Sequence, residues 1–160
     1  MKRPASLWLA GMALACFAAV GAALVAQHHF DMQPCPWCIL QRVIFVVIGL
    51  VCALGALVPA RAARAGAAGI ALLLALLGSA AALWQHFAAA KSASCNLTLA
   101  DKIIGALQLN TLLPDAFEPR ASCADAAVSI ASVPFEFWSL ALFVLLALGA
   151  IVALRRRASR

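Results

Sequence analysis

Four stretches without a single Asp, Glu, Lys or Arg, at residues 7–26, 43–60, 65–90 and 137–154, limit what this chain can become more than any other feature. A helix crosses about 30 Å of hydrocarbon in roughly 20 residues, and each stretch is near that length. Each must be helical, because an isolated span in lipid satisfies its backbone hydrogen bonds only within itself, and no run of alternating polarity suggests a barrel. Composition agrees. Of the 160 residues 66% are hydrophobic and 11% charged, with a mean hydropathy of +1.00, outside the range of a soluble domain. The expected fold class is therefore all-α, an integral membrane four-helix bundle forming one domain over residues 1–160. Its spans fall at about 7–26, 39–58, 66–87 and 137–154, with outer loops at about 27–38 and 88–136.

The formal charge of +6 matters through its distribution. Lys2 and Arg3 precede the first span, Arg61 and Arg64 lie between the second and third, and Arg155, Arg156, Arg157 and Arg160 follow the fourth. All six acids, Asp31, Asp101, Asp115, Glu118, Asp125 and Glu136, fall in the other two connections, with Lys91, Lys102 and Arg120. The positive-inside rule then places both termini in the cytoplasm and both acidic loops outside. Basicity here sets topology and gives no reason to invoke nucleic acid. Residues 1–26 also resemble a cleaved signal peptide, but their uncharged run exceeds the 7 to 15 residues of a signal core, which favours a retained helix.

Function should reside in the outer loops. The cytoplasmic turn is minimal and carries Pro59, suited to a tight link between antiparallel helices. Ala80 to Ala82 and Ala88 to Ala90 read as close-packing surfaces between helices. In the long loop, Leu97, Leu99, Ile103, Ile104, Leu107, Leu109 and Leu112 fit one short amphipathic helix at the membrane surface. Val128, Ile130, Val133 and Phe135 then return to the interface before the last span.

Six cysteines divide by position. Cys16 and Cys52 lie within spans, where a thiol acts as a small packing residue. Cys35, Cys38, Cys95 and Cys123 all lie in or at the edge of the outer loops, the oxidising side of a bacterial membrane. Cys35-Pro36-Trp37-Cys38 is a C-x-x-C at the start of the second span, and Pro36 suits a first helical turn. Free N–H groups there favour a thiolate, and the spacing permits a disulfide that opens and closes. A metal site shared with Cys95 and Cys123, or an inert bridge, would use the same residues. Arg42, four residues after Cys38, shares its helical face; it is either a snorkelling anchor or a cation that stabilises an anion, the Cys38 thiolate or a reduced quinone oxygen. His86, in Gln85-His86 at the outer end of the third span, is either an interfacial side chain or a proton exchanger. His28 and His29 receive no chemistry.

These residues resemble the disulfide bond formation protein B (DsbB) family of bacterial inner-membrane oxidases. The resemblance rests on Gln33-Pro34-Cys35-Pro36-Trp37-Cys38-Ile39-Leu40-Gln41-Arg42, on Gln85-His86, on Cys95 and Cys123, on Cys123-Ala124, on the Pro134 to Trp138 segment and on the basic tail. It implies two periplasmic loops, the second long and bearing the short interfacial helix. It further implies a Cys95–Cys123 disulfide reduced by a periplasmic DsbA-like partner of thioredoxin fold, with Cys95 joining the mixed disulfide. Cys35 and Cys38 would reoxidise that pair, and Cys38 would pass electrons to a membrane quinone, ubiquinone in the first instance and menaquinone in the second. Arg42 would assist quinone binding, with His86 near the ring. A vitamin K epoxide reductase-like protein is the nearest enzymatic alternative, but that family carries its C-x-x-C after the loop cysteines, and here it comes before them. A non-catalytic membrane subunit with structural cysteines is the alternative from another class.

Overall fold

The structure, a computed structural model, describes residues 5–91, 98–130 and 132–158, with side chains described through Arg155. Four long helices dominate it: α1 (Ala5–His29), α2 (Pro36–Leu57), α3 (Arg61–Phe87) and α7 (Phe135–Ala158). Each contains a segment long and apolar enough to cross a membrane, so the chain is a multi-pass membrane protein. All four extend beyond the charge-free stretches. Helix α3 already begins at Arg61 and α1 runs on to His29. Charged and polar side chains mark where the hydrocarbon ends, not where the helix must, because they reach the headgroups from a continuing helix.

Helix α1 packs on α2, α2 on α3 and α3 on α7, and α1 meets α7 to close the bundle. The seam of α3 consists of small residues: Ala67, Ala68, Ala71, Ala75, Gly78, Ala81 and Ala82 are buried, three or four apart, and the stripe ends at buried Gln85. Small side chains let helix backbones approach closely, the main source of association where lipid removes any hydrophobic drive. The approach is tight at two glycines. A Cβ on Gly55 would lie 2.5 Å from the Ala67 Cβ, and one on Gly78 would collide with the Phe143 ring. That ring stacks on Phe45 at 4.1 Å between centroids and 5° between planes, tying α7 to α2 through the middle of the bundle. Cys16 and Cys52 are fully buried in this same core with Leu9, Ile48 and Ala71, in keeping with packing roles.

The long loop between α3 and α7 folds against the N-terminal half of α2. Helix α4 (Leu99–Ala106) starts at a capping box: the Asp101 N–H donates to Thr98 Oγ1 at 3.3 Å, and the Thr98 N–H donates to Asp101 Oδ2 at 2.8 Å. The single amphipathic helix expected over this region is instead broken, because Gln108 adopts a left-handed conformation, φ 51°, and the chain restarts as α5 (Leu109–Leu112) and α6 (Pro114–Phe117). Ile104 and Phe117 nonetheless bury themselves against Ile39. Beyond Cys123, β1 (Ser129–Ile130) and β2 (Val133–Pro134) pair antiparallel, with Ile130 opposite Val133, immediately before α7.

Candidate active site

Cys35 occupies the N-cap of α2, with φ −87° and ψ 167°, and Pro36 follows inside the first turn. Its sulfur accepts the Cys38 N–H at 3.3 Å and lies 2.7 Å from the Cys38 sulfur, close enough for the two to join with a small movement. Cys123 packs into the same cluster as Cys35 and Trp37. The reason is backbone: the N–H groups of Arg120 and Ala121 both donate to the Pro34 carbonyl, at 2.9 and 3.3 Å, fastening the segment before Cys123 to the segment before Cys35. Cys35 thus stands between two sulfurs. The hydrogen bond it shares with Cys123 holds the Cys123 thiol below the usual thiol range, helped by the Trp37 N–H, and pushes Cys35 up, reinforced by its bond to Cys38 and by burial.

Backbone N–H groups at the head of α2 favour the Cys38 thiolate, as expected, and also serve the Cys35 and Cys123 sulfurs. Beside its contact with Cys35, Cys38 receives a donor from the side chain of Gln85, whose Nε2 lies 3.3 Å from the sulfur. Gln85 is in turn oriented by Gln41, which donates to its Oε1 at 2.7 Å. Both amides are buried.

Arg42 shares the face of Cys38, but its guanidinium bonds elsewhere. Nη1 donates to Gln27 Oε1 at 2.7 Å and to the Ala116 carbonyl at 2.8 Å, and Nη2 donates to the Ala23 carbonyl at 3.4 Å. Gln27 is held by its own bond to the Asp115 carbonyl, 3.0 Å. Among the described residues no carboxylate pairs with this guanidinium, although only 6% of Arg42 is exposed. A buried cation satisfied by neutral oxygens alone is costly, and an anion delivered beside it is stabilised.

Cys38, Gln41, Arg42 and Gln85 all line one cavity of about 330 Å³, walled by α1 from Ala19 to Ala26, by Phe45 and Leu142, and by Val128 and Ile130 of the loop. Cavities of this size with a few convergent polar groups suit small-molecule ligands. His86 is not in the lining. Its Nδ1 lies 2.7 Å from Glu136 Oε1, and Glu136 is the residue that reaches the cavity. Gln27, Gln41 and Glu136 were not singled out from sequence. Gln41 lay within the Cys35–Arg42 signature, whereas nothing local to Gln27 or Glu136 marks them, since their partners are 15 and 50 residues away. Cys95 lies outside the described residues.

Comparison with known proteins gives the family. Residues 4–153 match the family model described as "Disulfide bond formation protein DsbB". Disulfide bond formation protein B of Ralstonia nicotianae is 35% identical over 150 residues, covering 93% of each chain. The protein of that name from Aromatoleum aromaticum is 31% identical, covering 92% of this chain and 90% of its own. Disulfide bond formation protein B 1 of Pseudomonas aeruginosa is 31% identical over 99% of both. With one family covering nearly the whole sequence and its cysteine motif assembled at the head of a transmembrane helix, this chain belongs to the DsbB family of disulfide-forming membrane oxidoreductases.

Proposed function

We propose that this chain reoxidises a DsbA-like thiol oxidase in the periplasm and passes the electrons to quinone in the inner membrane, with both termini cytoplasmic. The observation that carries the reading is the position of the C-x-x-C between two chemistries. Cys35 faces Cys123 in the loop, and Cys38 faces an apolar cavity lined by a buried Arg42 that meets no carboxylate among the described residues.

In the proposed sequence the partner's dithiol reduces a Cys95–Cys123 disulfide, with Cys95 entering the mixed disulfide. The freed Cys123 thiolate attacks the Cys35 sulfur of a Cys35–Cys38 disulfide. A Cys123–Cys35 bond forms, the Cys35–Cys38 bond breaks, and the electron pair leaves on Cys38. The Trp37 N–H, a donor that remains when Cys35 is in a disulfide, supports the role of Cys123 as attacking thiolate. Gln85 and Arg42 are placed to stabilise negative charge at Cys38 and in the cavity. The cavity's volume and apolar walls fit a quinone head group, held by Arg42, Gln41 and Gln85, and a quinone there supplies a two-electron, two-proton acceptor. A DsbA-type oxidase, at about −120 mV, requires an acceptor of higher potential than the glutathione pool provides. Ubiquinone is the favoured acceptor, menaquinone the alternative.

The test is direct. Purified, quinone-loaded protein should oxidise a reduced DsbA-type partner with stoichiometric loss of quinone absorbance, and partner oxidation without quinone loss would sink the proposal.

A further inference from the structure

Glu136 is a carboxylic acid only 5% exposed, in the first turn of α7, on the wall of the cavity that Cys38 and Arg42 also line. Its Oε1 lies 2.7 Å from His86 Nδ1 on α3. The His86 ring is wedged between Phe87 and Phe137, at 4.9 and 4.6 Å between centroids, yet 31% of the side chain is exposed. The pair therefore runs from the cavity to the surface of the protein. Among the described residues this bond to His86 is the one hydrogen bond of the Glu136 carboxyl group, which also lines the cavity. The other ionisable side chains in the lining are Cys38 and Arg42 from α2; the α1 wall and the β1–β2 segment contribute none.

We propose that Glu136 and His86 form a proton relay that carries protons from the outer aqueous face into this cavity. The inference rests on the quinone reading above and extends it, since neither Arg42 nor the two glutamines can supply a proton readily at neutral pH. The balance closes. Oxidation of the partner's dithiol releases two protons on the outer side and two electrons into the cysteine chain. Each proton taken from Glu136 inside the cavity is replaced from His86 Nδ1, and His86 is reprotonated from outer water, so net charge in the cavity does not accumulate. A pair with a purely structural purpose would need neither a carboxyl group on the cavity wall nor a partly exposed imidazole at the far end.

The relay can be read without turnover. In the purified full-length protein, the infrared band of the Glu136 carboxyl group, identified by its loss in Glu136→Gln, should shift rapidly on transfer to D₂O as the proton it shares with His86 exchanges. In His86→Phe the shift should slow by about tenfold or more, because the solvent-side carrier is gone. In turnover, Glu136→Gln should slow quinone reduction by about 10²-fold with quinone affinity and partner exchange retained, and Glu136→Asp should recover part of the rate. Deuteration in His86→Phe as fast as in wild type, or wild-type quinone reduction in Glu136→Gln, would overturn the relay. A wild-type protein that reduces no quinone would instead bring down the function on which the relay rests. A failure confined to the variants is therefore distinguishable from a failure of the whole reading.

Discussion

Replacing Arg42 by methionine removes a charge while keeping a long apolar stem, and the structure permits a division of its effects. The guanidinium makes two short bonds, to Gln27 and the Ala116 carbonyl, and one longer bond to the Ala23 carbonyl. Bonds from a charged donor are worth about 1.5–3 kcal/mol each, but burying the charge costs several kcal/mol, so the two largely cancel. What is left for stability is chiefly the orphaned Gln27 oxygen, about 1–3 kcal/mol. The effect in the cavity is different, because no carboxylate neutralises the cation there and its field acts on any negative charge that develops. Loss of one preorganised donor of this kind costs about 10²–10³ in rate. Arg42→Met should therefore slow quinone reduction by about 10²-fold, equivalent to roughly 2.7 kcal/mol at 1.36 kcal/mol per tenfold. Exchange between the partner and the loop cysteines, followed separately by quenching and gel shift, should stay within about threefold of wild type. Arg42→Lys should recover only part of the rate, since an ammonium cannot span the same three acceptors as a planar fork. Quinone reduction by Arg42→Met at the wild-type rate and apparent affinity would show the residue to be a surface-seeking anchor and remove the main electrostatic support for the site.

Gln85→Met deletes the amide donor to Cys38 and strands Gln41 Nε2; it should lower quinone reduction about tenfold while leaving the accessibility of Cys35 unchanged, as single-turnover kinetics and thiol labelling would reveal. Gly78→Ala pushes a methyl group into the Phe143 ring and should lower thermal stability in detergent by about 1–3 kcal/mol, whereas Gly11→Ala, which meets no neighbour, should not. In the fully reduced protein, Cys123 has a depressed pKa and Cys35 a raised one. Alkylation of Cys123 should thus persist as pH falls below the ordinary thiol value of about 8.5, and Cys35 should react only as pH rises above it, a contrast of about tenfold at neutral pH by mass spectrometry. Serine at Cys16 or Cys52 should leave quinone reduction nearly intact, since both side chains lie wholly within the apolar core.

The four spans were legible because hydrocarbon imposes a length and forbids charge, a constraint written in every residue from 7 to 26 and its three counterparts. The redox motif was legible because Cys35, Pro36 and Cys38 act within one helical turn. Their electrostatics were half legible. A favoured Cys38 thiolate follows from the helix N-terminus, but the share of N–H groups taken by Cys123 depends on the Pro34 carbonyl across 86 and 87 residues of chain, and no local pattern encodes a backbone acceptor. The long loop was half legible. Its apolar residues signalled contact with α2, and Ile104 and Phe117 make it, but the break at Gln108 follows from a left-handed backbone that a polar, non-glycine residue does not announce. Glu136 illustrates the same limit. It read as one more acid on the outer side, and only the packing of α7 against α3 turns it into a partner for His86 and a wall of the cavity.

The bonds made by Arg42 also bear on how the chain enters the bilayer. A helix bearing an arginine is penalised on insertion by as much as about 2.5–3.5 kcal/mol if the charge lies at mid-depth, and by less toward an interface. Two of the acceptors that satisfy this one, the Ala23 carbonyl and Gln27, belong to α1, which leaves the ribosome just ahead of α2. The third, on Ala116, is synthesised 74 residues later. Helices α1 and α2 are thus suited to enter lipid as a preassembled hairpin, with the arginine shielded by its predecessor from the outset. Deleting the Gln27 amide should be felt first in membrane yield, before any effect on turnover.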